Sequence, residues 1–352
     1  MRKRISFLLL GAALLPGGKV SSQVLGGNSV FNFVRVPNTP QLTALGGVNL
    51  TQPSDDVGLA FNNPALLRPS MHSQVNAVFN NYYAGIRAMH LSTAIHHRSL
   101  NTTFSWGISY FDYGAVSRTD ASGNVLGKFK PADWVMAVGA SRQYLEKWQY
   151  GASLKFIYSM YGEYRASGLA TDVGVVYKDT AKRLTASVVV KNLGVQLKKY
   201  QGAGEEQLPF DLQAGISWRL NKAPFGFSLT AHRLHQFDIL YNDTVFNNSN
   251  GFSNSSGKRF TFDKLISHFV AGVTIYLGDR VELQAGYNFL KRRELSAGSL
   301  SNGLTGFSAG AGVHLGKIQV RYARAYYQGG TAWDHFGLTL HLNQLSRGIL
   351  KR

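Results

Sequence analysis

The chain has 352 residues, a formal net charge of +18 and no cysteine; 16% of its residues are charged, 12% are aromatic, and 38 are glycine. The missing cysteine excludes a disulfide scaffold, cysteine zinc sites and cysteine nucleophiles, and the charged share lies well below the roughly 25% of a soluble domain. The positive balance favours anionic partners, but the basic residues are scattered, which argues against a nucleic-acid stripe and predicts no nucleic-acid partner.

The first element is a secretory signal. Arg2-Lys3-Arg4 is a positive start, Ile5 to Leu15 an apolar core, and Pro16-Gly17-Gly18 breaks it before the small residues Val20-Ser21-Ser22. Cleavage is expected after Ser22. The alternative, an N-terminal membrane helix, fails on length, since a span needs about 20 apolar residues. Without the basic residues of this segment, Arg2, Lys3, Arg4 and Lys19, the formal charge falls from +18 to +14. No later apolar run is long enough for a helical span, so a chain that stays in a membrane must cross it as a closed barrel.

Residues 23–73 do not read as strands. They hold Pro37, Pro40, Pro53, Pro64 and Pro69 and the pair Gly46-Gly47. Asn62-Asn63-Pro64 is a turn signal, because Asn side chains cap nearby backbone groups. The segment is apolar enough to pack, and Asp55 and Asp56 are candidates to pair with basic residues of a barrel lumen. The expectation is a plug or hatch with Asp55, Asp56, Asn62, Asn63 and Pro64 as its motif; the alternative is a periplasmic tail.

From residue 74 the period is two. Phe104, Trp106, Ile108 and Tyr110 alternate with Thr103, Ser105, Gly107 and Ser109. Leu212, Ala214, Ile216 and Trp218 alternate with Asp211, Gln213, Gly215 and Ser217. Helical periodicity would not do this. Strands of about ten residues, with aromatics on one face and Gly, Ser, Thr, Gln and charges on the other, favour a membrane barrel over a soluble sandwich. The predicted strands are 74–80, 86–97, 102–112, 133–143, 149–161, 168–178, 183–193, 211–220, 225–234, 267–277, 280–290, 306–315, 317–325 and 335–343. The fold class is therefore all-β: an antiparallel transmembrane β-barrel of about 14 strands over 74–343, with a tail at 344–352.

Short connections (98–101, 144–148, 179–182, 221–224, 278–279 and Gly316) alternate with a second class (81–85, 113–132, 162–167, 194–210, 235–266, 291–305 and 326–334). Outer-membrane barrels keep short periplasmic turns and longer outer loops, so the second class is expected outside the cell and both termini in the periplasm. The loop 235–266 interleaves Phe237, Tyr241, Phe246 and Phe252 with Asn and Ser runs. It is read either as a solvated loop or as a docking surface for a partner. Lys291-Arg292-Arg293 is read either as a solvated charged loop or as a contact for lipopolysaccharide phosphates.

Catalytic and cofactor signals are lacking. Neighbouring His96-His97 face opposite sides of a strand, as do His232 and His235 if theirs continues, so neither pair resembles a zinc site. No nucleophile elbow, phosphate loop or His-Glu-x-x-His occurs. Small positions Ser308, Gly310 and Gly312 are read as making room for the plug. No enzyme activity, metal or cofactor is expected.

Several stretches together carry a resemblance. Leu45-Gly46-Gly47, Asp55-Asp56 and Asn62-Asn63-Pro64-Ala65-Leu66 resemble the N-terminal signature of FadL-like barrels. With Gly26-Gly27-Asn28-Ser29-Val30-Phe31-Asn32-Phe33, Asn80-Asn81-Tyr82-Tyr83-Ala84-Gly85-Ile86, Lys191-Asn192-Leu193-Gly194, Leu208-Pro209-Phe210, Ala223-Pro224-Phe225, Gly286-Tyr287-Asn288, Arg292-Arg293-Glu294-Leu295 and His335-Phe336, the chain resembles the PorQ family of the type IX secretion system. The resemblance implies a non-enzymatic FadL-like barrel of 14 strands in the outer membrane of Bacteroidota. It implies a place in the attachment complex that anchors secreted cargo to lipopolysaccharide. Its implied partners are a PorZ-like surface protein, a sortase-like protein and a second FadL-like barrel. The chain departs from many outer-membrane barrels in running past its last strand rather than ending on an aromatic residue. The competing reading is a FadL-type transporter of hydrophobic ligands.

Overall fold

The structure, a computed structural model, describes residues 29–240, 261–295, 303–327 and 332–342. The expected signal peptide 1–22, the tail 344–352 and the loop residues Tyr241, Phe246 and Phe252 lie outside the described residues.

Sixteen strands are described. They are β1 (Gln74–Asn81), β2 (Arg87–His97), β3 (Thr102–Asp112), β4 (Val116–Thr119), β5 (Val125–Phe129), β6 (Ala132–Tyr144), β7 (Trp148–Tyr161), β8 (Tyr164–Asp179), β9 (Leu184–Lys198), β10 (Asp211–Arg219), β11 (Phe225–Ala231), β12 (Phe269–Leu277), β13 (Val281–Asn288), β14 (Phe307–His314), β15 (Ile318–Tyr326) and β16 (Ala332–His341). All but β4 and β5 form one closed antiparallel barrel of 14 strands. β1 seals it against β16, with Phe79 opposite Phe336 and Gln74 opposite His341. Closure removes both free edges, the condition for strands in lipid.

The alternation read from the sequence is the alternation of faces. On β2, Met89, Leu91 and Ile95 are exposed while Ala88, His90, Ser92 and Ala94 are buried. On β7, Leu154 and Phe156 face out and Ser153, Lys155 and Ile157 face in. The outer wall is thus apolar and aromatic and the inner wall small, polar and charged.

Some connections differ from expectation. The stretch 113–132 contains the separate hairpin β4–β5. The connection expected at 162–167 shrinks to Gly162-Glu163, because pairing continues to Tyr161 opposite Tyr164. β9 likewise runs on to Lys198. Between β8 and β9 the register shifts at Thr171/Val173. There Lys191 and Asn192 are both buried, and Asn192 has a φ of 54°, the two-against-one geometry of a bulge. Lys291-Arg292-Arg293 lies in a short helix, Phe289–Glu294, capped by the Asn288 side chain, which accepts from Lys291 N at 3.0 Å, rather than in an irregular loop.

Residues 29–73 fill the inside. Ser29 bridges Gln207 at the end of the barrel that carries the long connections, and residue 73 hands over to β1 at the short-turn end. Prolines and cap residues break this segment into single turns. Helix α1 (Pro40–Ala44) starts on Thr39, whose hydroxyl accepts from Leu42 N at 3.3 Å, with Pro40 at the first helical position. It stops at Gly46, with a φ of 89°, a conformation open to glycine at little cost. Leu42, Leu45, Leu50, Leu59, Leu67 and Met71 are at most 1% exposed. Each such side chain contributes about 1.5–3 kcal/mol by leaving water.

Candidate functional site

The inner face of the barrel and the plug meet through buried charges. Asp56 caps the 3-10 turn Val57–Phe61, accepting from Gly58 N at 2.9 Å, and its other oxygen accepts from Arg321 Nη1 at 2.9 Å. Arg321, on β15, also donates to Glu282 of β13 at 3.0 Å, Ser54 Oγ at 3.0 Å and Gln319 at 3.1 Å. Asp56, Arg321 and Glu282 are all buried, so every group depends on the others for the solvation that water no longer supplies. Asp55 behaves differently. It pairs with Arg68 at 3.2 Å and accepts from Ser70 at 2.9 Å, both within the plug.

Asn62-Asn63-Pro64 docks on β7, β8 and β9. Asn63 caps the turn Pro64–Leu66 through Ala65 N at 3.0 Å and donates to Leu50 O and Ser187 Oγ at 3.0 Å each. Asn62 donates to Asn49 O at 2.8 Å and accepts from Lys191 Nζ at 2.5 Å. The wall gives way to this turn. A Cβ at Gly151 would stand 2.6 Å from the Pro64 carbonyl carbon, and one at Gly174 would run into Asn63 Oδ1. Lys155 beneath it pairs with Asp172 at 2.5 Å, donates to Asn192 at 3.2 Å, and lies 5.1 Å above the Phe61 ring. On the opposite wall, Ser308 accepts from Gly46 N and donates to Ala44 O, and a Cβ at Gly310 would meet that of Ala44.

At the long-connection end, the three basic residues of 291–293 part company. Lys291 turns inward: its Nζ donates to Tyr327 OH at 2.6 Å and sits 5.5 Å over the Trp333 ring. Burial brings its amine down to about 8. Arg293 pairs with Asp263 at 3.1 Å. Phe237 is exposed, and its carbonyl lies 3.1 Å from His268 Nε2.

Sequence reasoning did not single out Arg321, Glu282, Lys155 or Asp172. Their signal was present: each is a charge at an inward position of a strand, where only a partner inside makes burial tolerable.

No protein-family model and no curated protein matches the chain. Among solved structures it is similar to the CymD monoaromatic hydrocarbon channel, at 14% identity and a TM-score of 0.51 over 88% of this chain and 97% of that one. The chain has the fold of that channel, a closed antiparallel barrel of 14 strands. It is also similar to a TodX deltaS2S3 mutant monoaromatic hydrocarbon channel, at 12% identity and a TM-score of 0.49, over 86% of this chain and 97% of that one. At 14% identity the property shared with the CymD channel is the fold.

Proposed function

We propose that this barrel is a non-enzymatic scaffold of a type IX attachment complex, holding a PorZ-like surface protein on its long connections while cargo is anchored to lipopolysaccharide. In this reading the long connections face outside and the short turns the periplasm. The observation that carries it is the lumen: residues 29–73 occupy it and are tied to the wall through Asp56, Arg321 and Glu282. A barrel filled and cross-linked in this way is suited to presenting loops. The specific partner is what the resemblance to the PorQ family, carried by motifs from about Gly26 to Leu342, implies. A sortase-like protein and a second FadL-like barrel complete the proposed assembly.

The test is deletion of the gene in its host. Loss of the barrel should release the surface partner and its cargo into the medium, and gentle-detergent capture of the barrel should bring the partner with it. Removing 245–258 from an otherwise assembled barrel should weaken that capture. Cargo that stays on the surface after deletion would contradict the proposal.

The fold likeness to the CymD hydrocarbon channel favours a second reading, passage of small hydrophobic ligands. Under that reading deletion abolishes uptake and leaves surface proteins in place.

A further inference from the structure

Beside the start of the plug, at the long-connection end, lies an open cavity of about 520 Å³. It is lined by Phe31 and Phe33 of the plug and by Tyr113, Asp133, Tyr161 and Tyr200. Its volume is within the roughly 300–1,000 Å³ of small-molecule sites. Asp133, the second residue of β6, is only 1% exposed. It makes no ion pair among the described residues. In place of a cation it accepts hydroxyls: Tyr113 at 2.6 Å, Tyr161 at 3.1 Å, and Ser159 on its other oxygen. Tyr200, from the connection between β9 and β10, donates to Ser159 Oγ at 2.5 Å.

The proton count of this network decides what it can receive. All four hydroxyl protons point into the carboxylate network, so the tyrosine oxygens offer the cavity lone pairs. The rings add π faces: Tyr113 and Tyr161 lie 5.8 Å apart at 38°, and Tyr161 and Tyr200 6.1 Å apart at 73°. Glu206, which also lines the cavity, is a second carboxylate without an ion pair among the described residues. Buried negative charge, acceptor oxygens and aromatic faces together select a cation that only donates. Ser29, Asn32 and Tyr164 also line the cavity and carry donors, so a neutral hydroxyl ligand is the comparison that the test must include, and an apolar ligand would leave the carboxylate without a counter-charge.

We propose that this cavity binds a small organic ammonium ion, its N–H groups on the Asp133–tyrosine oxygens and its alkyl part against Phe31 and Phe33. The site is independent of whether the barrel is a scaffold or a channel. The test is calorimetric titration of the full chain, folded in a non-ionic detergent, with cadaverine and with the neutral diol of the same length. Cadaverine should give saturable heat and the diol none. Asp133→Asn should weaken cadaverine about tenfold or more, the loss of a charge-assisted bond. Tyr200→Ala, which lies outside the strands and leaves the wall intact, should also weaken it. Absence of saturable heat into the millimolar range, equal binding of the diol, or unchanged binding in Tyr200→Ala would overturn the assignment.

Discussion

Asp56 and Arg321 are 265 residues apart in sequence and 2.9 Å apart in space, both inside the barrel. This contact joins the plug to the wall, and its cost if broken follows from burial. Removing one partner of a buried pair leaves an uncompensated charge, typically about 3–5 kcal/mol. Arg321→Gln strands Asp56 and leaves Glu282 only His314, at 3.6 Å, whereas Asp56→Asn leaves Arg321 its Glu282 partner. Denaturant unfolding of the detergent-folded barrel should therefore rank Arg321→Gln as the more damaging. The double variant should cost less than the two losses added. Additive losses would show that the two groups are not coupled.

Docking of the Asn-Asn-Pro turn depends on bare backbone in β7. Gly151→Val places side-chain carbons where the Pro64 carbonyl stands, and overpacking of this sort costs about 1–3 kcal/mol. The strands themselves keep their ladder, so the expected result is a barrel that still resists heat in mild detergent while its plug becomes open to protease. Gly204→Val, in a connection with open space around it, is the matched control. Equal plug protection in both variants would contradict the docking.

The inward turn of Lys291 has a pH signature. Its amine, ordinarily at 10.5, is lowered to about 8 in the fold by burial. Between these values the unfolded chain holds a proton that the folded chain has lost. Stability therefore rises with pH across this window, and the charging penalty is in full force below it. Thermal unfolding of the wild type should gain more between pH 8 and 10.5 than that of Lys291→Met. Parallel curves would mean that Lys291 faces water.

Reversal of charge separates the lipid-contact reading from a structural one. With Lys291 turned onto Tyr327 and Arg293 on Asp263, the contact with anionic lipid read from the sequence loses Lys291 and rests on the two arginines. Arg292→Glu with Arg293→Glu should lower cargo attachment at unchanged barrel level. Attachment that does not change removes the contact.

The barrel was legible in the sequence because its rule is local: Phe104, Trp106 and Ile108 face out since every second side chain must. So was the Asn62-Asn63-Pro64 turn, whose caps are made within three residues. What was not legible is non-local. Nothing near Asp56 points to Arg321, and nothing near Pro64 points to Gly151 and Gly174. Asp55 and Asp56 read alike, yet one pairs inside the plug and the other with the wall. The bulge at Asp172 escaped notice because it puts Lys191 and Asn192 on one face, against the period that revealed the strands. The basic run at 291–293 read as one patch, but a helical turn separates its side chains and a ring of Tyr327 and Trp333 takes the first.

The scaffold reading requires that the plug stay in place during function, and the lack of native cysteine makes this directly testable. A Cβ at Gly174 would lie 3.3 Å from that of Ala65, close to the ~3.5–4.5 Å of a disulfide. The Ala65→Cys, Gly174→Cys double variant therefore locks the plug to β8 when oxidised, and its reduced form, which carries the same added Cβ against Asn63 Oδ1, is the control for that close approach. The locked barrel should hold surface cargo as well as the reduced one does. Cargo retention that fails when the bond forms and returns on reduction would show that the plug must move, and would contradict the account.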